Sequence, residues 1–124
     1  MTMSKRILVV DDDEYIRDLY EEILKDAGYS VDIAVDGADG FTKMKKIAYD
    51  LVLLVIMMPK LDGIEVMKKL KTQKISRPTV LLTNLAHDPV IKEGKLLGAK
   101  AYLIKADLTP DQLIIKVREL VKTS

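Results

Sequence analysis

Short apolar runs and helix-period segments alternate along the chain, five times over. Residues 6–11 (RILVVD) form an apolar, β-branched run closed by acids, the pattern of a strand buried on both faces. Ile16, Leu19, Ile23 and Ala27 then recur at helical spacing, and Gly28 reads as the C-terminal cap. Residues 29–35 (YSVDIAV) predict a second strand, and 37–47 a short helix with Phe41 and Met44 on one side. Residues 50–56 (DLVLLVI) predict a third strand, then a turn built on Pro59, Asp62 and Gly63, then a helix carrying Ile64, Met67 and Leu70. Residues 78–83 predict the fourth strand. The next helix takes Asp88 as N-cap and Pro89 as its first helical residue, and Gly98 closes it. Residues 100–105 (KAYLIK) predict the fifth strand. Thr109 and Gln112 form a capping box, with Pro110 at the first helical position, and open a last helix whose Leu113, Val117, Leu120 and Val121 face inward.

Strands and helices in strict alternation imply parallel pairing, right-handed crossovers and a doubly wound, three-layer α/β domain. With 124 residues and no linker or repeat, a single domain over 1–124 is expected, without an effector domain. Residues 1–4 are expected to be a disordered or vector-derived start. In such sheets ligands sit beyond the carboxyl ends of the strands. The residues placed there are Asp11 to Asp13, Val55 to Met58, Thr83 with Asn84, and Lys105 with Ala106.

Composition narrows the classes. Lys plus Arg total 20 and Asp plus Glu total 19, which argues against a nucleic-acid or membrane partner bound by bulk charge. The absence of cysteine removes disulfides and thiolate metal sites. No apolar run approaches a membrane span, so a cytoplasmic protein is the simplest expectation.

The chemistry must come from the strand ends. Two like charges about 4 Å apart repel by ~4 kcal/mol at an effective dielectric of 20, so three adjacent aspartates are costly. One reading makes Asp13 the cap of the first helix, with Asp12 and Glu14 favoured by its dipole. The other makes the group an acidic cup for a divalent cation; Mg²⁺ takes one or two carboxylates and keeps several waters. The acids repel phosphate and the G-x-G-x-x-G pattern is missing, so a flavin or dinucleotide site is not expected. Lys105 either snorkels to water or points into the cup. Thr83 is a β-branched strand residue or a hydroxyl donor to an anion, Tyr102 reads as core, and His87 receives no role.

In their order, ILVVDDD, DLVLLVIMMPKLDG, VLLTN and AYLIKAD resemble the response-regulator receiver family, over essentially the whole chain. The resemblance implies a flavodoxin-like (βα)5 fold with a parallel sheet of order 2-1-3-4-5. It implies a two-component phosphorelay switch rather than an enzyme. It also implies that Asp11 and Asp12 bind Mg²⁺ with the backbone carbonyl of Met57, that Thr83 and Lys105 contact the phosphoryl group, and that Tyr102 acts as the switch aromatic. The phosphoacceptor falls at position 55, and this chain has Val55 there. An isopropyl group cannot accept a phosphoryl group, and losing an anionic ligand weakens Mg²⁺ binding by ~1–4 kcal/mol, leaving it weak or absent. Ala106 stands where the family commonly has proline, leaving the peptide bond before it cis or trans. Asn84 stands where a small residue is usual and narrows the pocket.

The implied partners are a histidine kinase or phosphotransfer protein, and a downstream protein on the face between Asp88 and Lys122; a homodimer is a further option. Two readings of Val55 stay open: an engineered replacement of aspartate, and a natural pseudo-receiver that binds partners without phosphorylation. An alternative from another class is a haloacid-dehalogenase-like phosphatase using Asp11 and Asp13, against which Tyr15 and the short chain count.

Overall fold

The structure is a computed structural model that describes residues 4–58, 61–84 and 88–122. Five strands, β1 (Arg6–Val10), β2 (Ser30–Ala34), β3 (Leu51–Val55), β4 (Thr79–Thr83) and β5 (Ala101–Ile104), alternate with five helices. The helices are α1 (Glu14–Asp26), α2 (Gly37–Lys46), α3 (Gly63–Thr72), α4 (Asp88–Leu96) and α5 (Pro110–Lys122). All the strand pairs are parallel, in the order β2-β1-β3-β4-β5.

The hydropathy pattern explains the layering. Every residue of β3 and β4 is buried, because both of their faces are covered by helices, and this is why they read as unbroken apolar runs. Edge strands β2 and β5 are only partly buried. On one face of the sheet Ile7, Val9, Leu53, Val55 and Leu82 pack against Tyr20 and Leu24 of α1 and Leu113 and Val117 of α5. On the other, Leu8, Val10, Leu54 and Leu81 pack against Met44 of α2 and Ile64 and Leu70 of α3.

The caps follow the sequence closely. Gly28 and Gly98 take φ of 98° and 102° after α1 and α4, a region open to glycine and strained for other residues. Thr109 and Gln112 exchange hydrogen bonds of 3.2 Å each. Asp62 and Glu65 form a second capping box that the sequence reading passed over. One cap differs: α4 begins at Asp88 itself, because that residue's backbone is already helical, so Pro89 is the second helical residue. The Asp88 side chain, Pro59 and His87 lie outside the described residues, as do residues 1–3. Tyr102 is not core: it is 37% exposed on edge strand β5, with Lys95 Nζ 5.2 Å from its ring centroid. No peptide bond among the described residues is cis, and Lys105–Asp107 form a 3-10 turn.

Candidate functional site

Strand register brings four of the expected residues to one rim. Val10 lies opposite Leu54, Val55 opposite Leu82, and Thr83 opposite Ile104. Asp11, Val55, Thr83 and Lys105 therefore stand at the carboxyl ends of four adjacent strands, although 94 residues separate the first from the last.

Asp11 is the electrostatic centre. It is fully buried, and its carboxylate has two donors: the Asp13 N–H at 2.9 Å on Oδ1 and Lys105 Nζ at 2.9 Å on Oδ2. The lysine side chain is only 13% exposed, so both charges of the pair are largely removed from water. A buried carboxylate without such a partner would be very costly, which makes Lys105 the charge that allows Asp11 to sit there. Arg17 Nη1 donates to the Asp11 carbonyl at 3.1 Å, while Arg17 Nε is buried without a hydrogen-bond partner among the described residues. Tyr20 is buried nearby; burial pushes its phenol up from its ordinary value, and the Asp11 charge pushes it further. The sequence reading missed Arg17 and Tyr20. Their only signal was helical phase, since both lie on the turns of α1 that lean over the end of β1.

The other expected residues divide. Asp13 is the N-cap of α1, its Oδ1 accepting the Ile16 N–H at 3.2 Å, so the capping reading of that residue holds. Asp12 is exposed beside it. Val55 is 4% exposed and belongs to the core under α1 and α5. Thr83 is 9% exposed at the end of β4. The Met57 side chain is 73% exposed on the loop after β3, and Asn84 is exposed at the rim.

The carboxylates this rim offers a divalent cation are those of Asp11 and Asp12, buried and exposed respectively. Each Asp11 oxygen already holds a donor, Val55 offers none, and no group of three His, Cys, Asp or Glu side chains among the described residues is arranged to hold a metal. A cation entering beside Asp11 would also meet the Lys105 ammonium at a separation where like charges repel by ~4 kcal/mol.

The doubly wound sheet of order 2-1-3-4-5 thus carries an acid–lysine pair across its carboxyl rim. Comparison with known proteins gives the family directly: residues 7–118 match the response regulator receiver domain. The chain belongs to that family, the receiver domains of two-component response regulators, which exchange signals with histidine kinases or phosphotransfer proteins and with downstream effectors.

It is 40% identical over 124 residues to the alkaline phosphatase synthesis transcriptional regulatory protein PhoP of Bacillus subtilis, covering 98% of this chain and 50% of PhoP. It is 40% identical over 103 residues to the chemotaxis protein CheY of Treponema pallidum, covering 81% of this chain and 72% of CheY. The response regulator TrrA of Thermotoga maritima, solved in complex with Mg(2+)-BeF, superposes with a TM-score of 0.81 at 37% identity, over 94% of this chain and 98% of that one. The chain thus spans about half the length of PhoP. Relatives named as transcriptional regulators give no support to the expectation that nucleic acid plays no part. The phosphatase alternative finds none either, since Asp13 is spent as a helix cap and the match is to the receiver family. No described helix is long and apolar enough to cross a membrane.

Proposed function

We propose that this chain is a phosphorylation-independent receiver, a protein-interaction module whose site is neutralised from within. The observation that carries the reading is Val55, a buried apolar side chain at the tip of β3 beside the Asp11–Lys105 pair. With no nucleophile there, Lys105 serves as the permanent counter-ion of Asp11. Mg²⁺, which Asp11, Asp12 and the Met57 carbonyl would hold in an active relative, is weakly bound or unbound. Thr83 and Tyr102 then stay in the arrangement that packing alone favours. The face running from α4 through β5 to α5, with Lys92, Lys95 and Lys116 on it, meets the partner. A single conformation suffices, because no differential contact is available to shift a population.

A specific observation also keeps the second reading, in which an aspartate at 55 has been replaced: the acid, hydroxyl and ammonium around the site are all present at the same rim. One experiment separates the two. Val55→Asp is incubated with Mg²⁺ and a small-molecule phosphodonor, and the product is tested for acid-labile, hydroxylamine-sensitive phosphate. A chain adapted to work without phosphorylation is expected to give none or very little. Stoichiometric phosphorylation would show a pocket intact except at residue 55, and would favour replacement of an aspartate.

A further inference from the structure

At the opposite end of the sheet, between the carboxyl ends of α3 and α4, lies a groove of about 410 Å³. Leu70, Ile75 and Leu96 give it an apolar side; Lys71, Lys74 and Arg77 give it a cationic one, and none of its lining residues is acidic. Leu96 is 80% exposed at the end of α4. Lys74 adopts φ 59°, the left-handed region, where Gly28 and Gly98 serve the corresponding turns after α1 and α4. A lysine held where glycine is the unstrained choice points to a use for its charge. Arg77 is fixed by Nε donating to the carbonyls of Met44 and Ile47, while Lys74 has no ion-pair partner among the described residues.

The complement to this groove is on the same molecule. Glu14, Asp18, Glu22 and Asp26 are all exposed and recur at four-residue steps along α1, so like charges stack down one helix face and weaken the helix. The stripe belongs to the layer on one side of the sheet, and the groove to the layer on the other. One molecule cannot close the contact on itself.

We propose that the α3–α4 groove docks the acidic α1 face of a second copy of this chain, in a head-to-tail association. Such a contact is heterologous and propagates unless its rotation closes a ring. It makes no use of the Asp11 site, and so stands or falls separately from the function proposed above.

Sedimentation velocity over a concentration series tests it. The 124-residue chain is expected to show a weight-average sedimentation coefficient that rises with concentration at low salt and loses that rise at about 0.5 M salt. Reversing the groove charge (Lys71→Glu with Lys74→Glu) is expected to weaken association at least about tenfold, as is Asp18→Lys with Glu22→Lys on α1. The two variants mixed, or all four changes in one chain, are expected to restore it. Lys74→Gly separates docking from folding: it relieves the backbone, so stability holds or rises while association falls. A chain that stays monomeric at every concentration in low salt overturns the proposal, even if the groove binds a polyglutamate peptide. Association indifferent to the Lys71 and Lys74 reversals overturns it equally.

Discussion

Lys105 and Asp11 are better described as one unit than as two site residues. A buried carboxylate and a nearly buried ammonium, 2.9 Å apart, each carry a desolvation cost that the other's charge offsets. Removing one partner therefore costs more than removing both. Lys105→Met is expected to destabilise the fold by about 3–5 kcal/mol in urea unfolding, while Asp11→Asn with Lys105→Met recovers much of that loss. Equal destabilisation by the single and double variants would show that the pair is not what holds Asp11 in place. The sequence made Asp11, Val55, Thr83 and Lys105 legible together, because all four end apolar runs whose strands must lie side by side. It hid Arg17 and Tyr20, which reach Asp11 only through the packing angle of α1. It also misplaced Tyr102: the apolar run reads as core, although the implied strand order puts the fifth strand at the sheet edge, where one side of a residue stays wet.

At the scale of elements, the tip of β3 and the start of α3 are bonded to each other. The Gly63 N–H donates to the Ile56 carbonyl at 2.8 Å, and a Cβ on Gly63 would fall 2.5 Å from the Val55 carbonyl oxygen. The helix can begin this close to the strand only because residue 63 has no side chain. Gly63→Ala is expected to cost about 1–3 kcal/mol by pushing α3 away from β3, measured as a fall in the urea midpoint at unchanged m-value. An unchanged midpoint would mean that the approach is looser than described. Here the sequence was readable where the local chemistry is self-contained. The Thr109–Gln112 box and the glycines after α1 and α4 depend on a few neighbouring residues. The start of α4 depends on how far the helical backbone extends toward β4, and was placed one residue late.

For the whole molecule, the doubly wound architecture was legible because alternating buried strands and amphipathic helices admit few other arrangements, and the strand order followed from resemblance. What the pattern did not contain was the cross-molecule polar network. Tyr49 is 3% exposed, and its hydroxyl donates at 2.7 Å to Asp32 Oδ2, which also accepts from Arg6 on β1. Burial, then that bond, pushes the Tyr49 phenol well above its ordinary 10.0, and burial moves Tyr20 in the same direction. A raised folded-state value means that the unfolded chain loses its proton first. Stability is thus fully present below about pH 10 and falls above it, by up to about 1.4 kcal/mol per pH unit for each tyrosine. Tyr49→Phe is expected to flatten this alkaline slope in urea titrations between about pH 9 and 11; an unaltered slope would remove Tyr49 from the account.

The central claim is that Val55 and the Asp11–Lys105 pair leave this receiver with nothing for a phosphoryl group to join. The most direct measurement is a heteronuclear NMR titration of the unaltered chain with Mg²⁺ and beryllofluoride, the combination in complex with which TrrA was solved. The account predicts that amide signals at Asp11, Thr83 and Lys105, and along α4, β5 and α5, keep their positions throughout. A second, slowly exchanging set of signals at those residues would contradict it.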